Sequence, residues 1–259
     1  MTLTLPRIAV VTGASAGIGL ATVYKLLESG VHVVGCARRT QRLKALEQEA
    51  HDRYGQRSFI GVAGDVQEAA TVEHLLATCK TAFGQAPDIF LVNAGRGLPG
   101  SILHSDQEKW QELFQLNCIS ALHQMKLAAN AMLETAARRE GPPKAQDIIV
   151  LGSIVGRHVS PVNPVYGATK YAVNSLAESL RRDLAPHWVR VTLIEPGTVA
   201  TGFQDAAGYD EDAFADYERQ IGPFVTGDDV ANFILFALSQ PAHVHFNNVV
   251  IRPTRQTYP

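Results

Sequence analysis

Nowhere in this chain do about eighteen apolar residues run together, the length a helix needs to cross a bilayer. No membrane span is expected. The opening MTLTLPRIAVVTG lacks a charged segment followed by a long apolar one, so export through a cleaved leader is not expected either. Cysteine is scarce. Cys36, Cys79 and Cys118 are unevenly spaced, form no CxxC pair and sit in apolar segments, which argues against a disulfide framework or a zinc site. A reducing cytoplasm and no metal are the expectation. Charge of one sign is lacking too, since 23 Lys and Arg stand against 25 Asp and Glu, a net of -2 without a sustained run. Nucleic acid and anionic membrane surfaces are therefore not expected partners, and small molecules are.

What is present fits one large α/β domain spanning 1–259, with 46% hydrophobic and 19% charged residues. Short, near-continuous apolar runs recur at 7–12, 31–36, 58–63, 88–93, 147–153, 189–195 and 247–251, as in strands covered on both faces. Between them lie segments with apolar residues at three- and four-residue spacing, such as TVEHLLATCKTAFG, which ends at a glycine stop. The alternation predicts a doubly wound, mostly parallel sheet with helices on both faces. Two irregular stretches interrupt it. REGPPKAQ (139–146) reads as a surface loop, and 201–224, acidic and aromatic, reads as a substrate loop or as solvated helical filler.

The first strand runs into VVTGASAGIG, with glycines at 13, 17 and 19. Glycine allows the tight turn and lets backbone amides approach a pyrophosphate, while the helix start adds partial positive charge. Gly13, Ser15, Ala16, Gly17, Ile18 and Gly19 are the candidate cradle. The second strand ends in GCARRT, where an acidic partner for a ribose 2′-hydroxyl is missing and Arg38 and Arg39 offer fixed cations to a 2′-phosphate. NADP(H) is preferred over NAD(H), although two arginines opening a polar helix would look the same.

In VYGATKYAV, Tyr166 and Lys170 are four residues apart and share one helix face, whereas Tyr171 points about 100° away. Ser153 follows the fifth strand, at the sheet edge where open α/β folds bind ligands. Together these groups could serve a carbonyl. A phenol with an ordinary pKa near 10 moves protons slowly at neutral pH, and a nearby ammonium is expected to lower it while Ser153 polarises the oxygen.

In order and spacing, TGASAGIG (12–19), NAG (93–95), Asn117, Ser153, YGATK (166–170) and PGTVAT (196–201) resemble the motif series of the short-chain dehydrogenase/reductase family. The resemblance covers nearly the whole chain. It implies a Rossmann-type fold with a seven-stranded parallel sheet and a tetrad of Asn117, Ser153, Tyr166 and Lys170. Tyr166 would be the acid in reduction and the base in oxidation, Lys170 would also bind the nicotinamide ribose, and Asn117 would hold a relaying water. Asp65 and Val66 would border the adenine, Asn93, Ala94 and Gly95 the cleft, and Pro196, Gly197, Val199 and Thr201 the nicotinamide. Val92 stands where the family often has a first asparagine, so one local hydrogen bond is expected to be missing.

The C-terminal portion, ending in IRPTRQ, resembles the branch that contains NADP-dependent 3-hydroxy acid dehydrogenases and related aldehyde reductases. A small hydroxy acid or polar carbonyl compound is implied. Arg96 could pair with a substrate carboxylate or be a solvated loop residue, Phe203 and Tyr209 could close a lid or anchor a loop, and His158 is expected to be structural. By the same resemblance, the helical region after Trp110 would pack between subunits of a homodimer or homotetramer. An NADP-sensing protein without turnover is the alternative from another class, against which the complete tetrad speaks.

Overall fold

Every apolar run found above becomes a strand of one sheet in the computed structural model, which describes residues 7–138, 140, 141 and 144–258. In chain order the elements are β1 (Ile8–Thr12), α1 (Gly17–Glu28), β2 (His32–Ala37), α2 (Thr40–Tyr54), β3 (Phe59–Ala63), α3 (Ala69–Phe83), β4 (Ile89–Val92), α4 (Trp110–Phe114), α5 (Ala121–Ala137) and β5 (Gln146–Leu151). The second half holds α6 (Pro164–Leu184), β6 (Val189–Pro196), β7 (Val199–Ala200), α7 (Phe203–Ala207), α8 (Glu211–Ile221), β8 (Val225–Thr226), α9 (Gly227–Leu238) and β9 (Asn248–Ile251). Residues 1–6 of the N-terminal segment, and Arg139, Pro142 and Pro143 of the expected surface loop, lie outside the described residues.

The seven long strands pair in the order β3-β2-β1-β4-β5-β6-β9, all in parallel. Their runs are unbroken because both faces are covered. Along β1, Ile8 and Val10 join the core beneath α3, α5 and α6, while Ala9 and Val11 join the core beneath α1, α2 and α9. The chain leaves β1 toward β3 and returns to β4, so the order reverses between β1 and β4. That reversal opens a crevice beyond the carboxyl ends of the strands.

Local chemistry sets the helix ends. Gly84, at φ +78°, stops α3, proline starts α6, and a capping box between Thr226 and Asp229 starts α9. A π-helical turn, Gln115–Ser120, joins α4 to α5. The stretch 201–224 is helical, as one of the two readings of its composition expected. It folds as α7 and α8, and its two ends are drawn together where β7 and β8 pair, Val199 with Val225 and Ala200 with Thr226.

At the opposite, amino-terminal edge of the sheet lies a buried charge cluster. Arg7 bonds Asp88 at 2.5 Å and Asp147 at 2.7 Å, and Arg190 bonds the other oxygen of Asp147 at 2.6 Å. Arg190 also donates to the carbonyls of Gln240, Pro241 and Val244. Two cations and two anions balance there.

Candidate active site

The turn after β1 is shaped by steric need. Gly13 and Gly17 have φ of +68° and +54°, and a Cβ on Gly19 would lie 2.3 Å from the Gly13 carbonyl oxygen. Thr12 fastens this turn to the end of β4. Its hydroxyl accepts from the amides of Asn93 and Ala94, and Asn93 Nδ2 donates to the Thr12 carbonyl at 2.8 Å. Val92 is buried and leaves the strand end intact.

Next to the turn, Arg39 donates to Ser15 Oγ at 3.2 and 3.0 Å. Burial, Arg42 and Arg38, in that order, pull its pKa below the ordinary value, so three guanidinium groups crowd one corner. Arg42 was not foreseen. Its signal was its position one helical turn beyond Arg38 and Arg39, which matters only once α2 is known to begin at Thr40. Asp65 accepts from the Gln67 amide at 3.0 Å, and Val66 is buried beside it.

A cleft of about 1340 Å³ runs from these arginines to α7. Gly13, Ser15, Ala16, Gly17, Ile18, Arg38, Arg39, Asp65 and Val66 line one end of it. Asn93, Ala94, Gly95, Pro196, Gly197, Val199 and Thr201 line its middle, with Ser153, Tyr166 and Lys170. Gly19 and Asn117 stand behind its wall.

Ser153 follows β5 in extended conformation and caps the short turn Ile154–Gly156, its Oγ accepting from the Val155 amide. It also shares a hydrogen bond with Tyr166. Burial pushes the Tyr166 phenol well above its ordinary value, Tyr209 adds to that, and the Ser153 bond opposes it. Burial also pulls the Lys170 ammonium down to about 8. The expected acidification of the phenol by Lys170 is not what this site gives. Nζ donates to the Leu151 carbonyl at 2.7 Å and sits 5.7 Å from the Tyr166 ring centre, so desolvation prevails.

Asn117 rides on the π-helical turn, an irregularity often found at functional sites. Its Oδ1 accepts from the Arg96 amide at 3.0 Å, while Nδ2 donates to the Arg96 carbonyl at 2.9 Å and to Thr169 Oγ1 at 3.1 Å. Thr169 donates in turn to the Tyr166 carbonyl at 2.7 Å. Asn117 thus braces the segment after Gly95 against α6.

A buried carboxylate ties the same segments from below. Glu195, fully enclosed, receives Arg157 Nη2 at 2.5 Å and Asn174 Nδ2 at 2.6 Å, linking β6 to the turn after Ser153 and to α6 one turn past Lys170. Gln256, from the IRPTRQ stretch, accepts from the Thr198 amide at 3.1 Å and packs on Gly197. Neither contact is visible locally in the sequence.

The remaining candidates separate clearly. Arg96 lines the cleft with its charge paired to Glu112 at 3.2 Å, and Phe203 sets its ring 5.8 Å from that of Tyr166. Tyr209 accepts from Asn163 Nδ2 at 2.8 Å, and burial raises its phenol pKa. His158 lies outside the cleft lining with its ring 6.4 Å from that of Tyr258, Tyr171 is exposed, and Trp110 donates to Ser105 Oγ at 3.1 Å.

A glycine turn at the switch point, with serine, tyrosine and lysine meeting beside it, is the arrangement of a nucleotide-dependent oxidoreductase. The family model for short chain dehydrogenases matches residues 7–212, and the chain belongs to the short-chain dehydrogenase/reductase family. Dehydrogenase/reductase SDR family member 11 of Gallus gallus is 33% identical over 257 residues, covering 96% of this chain and 97% of that protein. An uncharacterized oxidoreductase of Staphylococcus epidermidis is 31% identical, covering 95% of this chain and 97% of its own. Among solved structures, a serine dehydrogenase complexed with NADP+ superposes with a TM-score of 0.83 at 30% identity, with 97% of both chains covered. L-Sorbose reductase from Gluconobacter frateurii, complexed with NADPH and L-sorbose, gives 0.83 at 25% identity, covering 100% of this chain and 99% of that one. Among the described residues, no helix is long and apolar enough to cross a membrane.

Proposed function

We propose that this chain is an NADP(H)-dependent oxidoreductase interconverting an alcohol and a carbonyl, acting as one domain over 1–259 with 201–224 as its substrate side. The observation that carries this is the meeting of Ser153, Tyr166 and Lys170 on one cleft with the glycine turn. The residues fit the cofactor. Gly13 and Gly17 take backbone angles other residues avoid, and Arg38, Arg39 and Arg42 crowd one corner, with Asp65 of the same end bonded to the Gln67 amide. These arginines would hold the 2′-phosphate, Asp65 and Val66 the adenine, and Lys170 the nicotinamide ribose. Bound there, the nicotinamide supplies or accepts the hydride.

The chain's own groups do the rest. Because burial holds the Tyr166 phenol in its protonated form, Tyr166 is ready to give its Oη proton to the carbonyl oxygen during reduction. Ser153, bonded to that phenol, holds the same oxygen. Lys170 Nζ, 5.7 Å from the centre of the Tyr166 ring, sets a cation beside the phenolate that remains, and Asn117 keeps α6 in register with the cleft. Three buried, unpaired thiols support a reducing cytoplasm. Exposed Phe114, Ile119 and Leu122 in the α4 to α5 region, with Tyr171 on α6, support a homodimer or homotetramer.

Two substrate classes fit this scheme. Likeness to the serine dehydrogenase supports a small hydroxy acid, and likeness to the L-sorbose reductase supports an uncharged ketone. The test is Tyr166→Phe, which should abolish turnover while NADPH fluorescence still reports binding. Unchanged turnover would refute the assignment. Arg38→Asp should shift preference from NADPH toward NADH, and an unchanged preference would refute the phosphate role.

A further inference from the structure

Beyond the nicotinamide position the cleft is walled by rings rather than by available charge. Phe203 leans over Tyr166, and Tyr209 is held in place by Asn163. Both rings press on Gly97, where a Cβ would lie 2.9 Å from Phe203 Cε1 and 3.1 Å from Tyr209 Cε2. Only a glycine lets them come so close to the loop after Gly95. Behind them Leu98, Ile154, Val155 and Trp110 complete an apolar cluster around Tyr166.

The charged side chains lining this half, among the described residues, are Arg96, Lys170 and Asp210, and each is engaged. Glu112 holds Arg96, the Leu151 carbonyl holds Lys170, and Asp210 accepts from the Ala213 amide at 2.8 Å.

We infer that the substrate is an uncharged aldehyde or ketone whose carbonyl bears a flat apolar substituent, seated against Phe203 and Tyr209, and not a hydroxy acid. This rests on the oxidoreductase role proposed above and names the substrate class of that same site. An aromatic wall favours a flat partner through offset or edge contacts, while a carboxylate there would lose its water and gain Arg96 only by displacing Glu112.

The test measures kcat/KM with NADPH for benzaldehyde, butanone and acetoacetate, and with NADP+ for serine. Benzaldehyde should exceed acetoacetate and serine by at least about tenfold. Phe203→Ala should raise KM for benzaldehyde about tenfold and leave butanone within about twofold. Phe203→Leu, which keeps apolar bulk and guards against a collapsed loop, should lose part of the preference. A preference for acetoacetate or serine would overturn the inference, as would equal losses on benzaldehyde and butanone in both variants. Absence of turnover on all four compounds, with NADPH binding retained, would instead overturn the oxidoreductase role on which the inference rests.

Discussion

Removing the carboxylate of Asp147 should destabilise the fold far more than its distance from the cleft suggests. Asp147 bonds two guanidinium groups at once, at 2.7 and 2.6 Å, in a cluster whose residues Arg7 and Arg190 are 6% and 4% exposed. After Asp147→Ala, Arg7 keeps Asp88, but Arg190 keeps only main-chain carbonyls. One buried cation is stranded. Breaking a buried pair in this way costs about 3–5 kcal/mol. At about 2–4 °C per kcal/mol for a chain of this size, Tm should fall by roughly 6–20 °C. Urea unfolding followed by circular dichroism reads the loss directly. The exposed Arg96–Glu112 pair serves as a control, since Glu112→Ala should cost no more than about 1 kcal/mol. The cluster lies at the amino-terminal edge of the sheet, away from Ser153, so activity of the folded variant in the cold should stay within about twofold. A loss below about 1.5 kcal/mol would mean that water or relaxation replaces Asp147, and the account given by burial would be wrong. Asp147→Leu combined with Arg190→Met should recover part of the stability, because it removes the stranded charge.

Three other outcomes are expected. Lys170 has its pKa lowered from 10.5 to about 8, so its own contribution to stability should rise with pH across that window, against the opposite contribution above pH 9 of the buried thiols Cys36 and Cys79, whose pKa values burial raises. The Lys170 contribution amounts to roughly 3 kcal/mol; in urea titrations at pH 7.5 and 10 the parent protein should gain on Lys170→Met at the higher pH, and an equal difference at both values would refute it. Gly19→Ala should cost about 1–3 kcal/mol and abolish NADPH fluorescence enhancement, because the new methyl group would meet the Gly13 carbonyl and Asn93 Nδ2; normal binding would show that the turn can yield. Glu195→Gln should lower kcat by about tenfold or more while NADPH binding changes little, since it loosens the turn after Ser153 relative to α6; an unchanged kcat with a lowered Tm would reduce Glu195 to a structural role.

Much of this molecule is legible in local pattern. Strands buried on both faces announce themselves as continuous apolar runs, and all seven were found for that reason. The glycine turn and the spacing of Tyr166 and Lys170 are also local, since a helix turn fixes which residues share a face. What escaped depends on distant partners. Gln256 meets Thr198 across 58 residues, and Arg157 meets Glu195 across 38. Arg42 needs the start of α2, and the π-helical turn carrying Asn117 leaves no clear mark in the apolar pattern. The ionisation of Tyr166 was misjudged for a related reason. Proximity to Lys170 can be counted along the chain, but the burial that outweighs it comes from the rings and loops closing around the site.

The two-residue ladder of β7 and β8 gives the stretch 201–224 an unusual freedom. It clamps both ends of 201–224, so the excursion leaves and rejoins the body at fixed points whatever lies between. Lengthening a flexible loop costs only about 0.6 kcal/mol per doubling once its ends are held together. On the proposal that 201–224 is the substrate side, drift in α7 and α8 would alter which molecules are admitted without disturbing the floor built by β5 and α6. The same clamp marks natural cut points for a chimera, in which 201–224 is exchanged for the corresponding stretch of a relative, and a changed selectivity in the recipient would support the proposed substrate role.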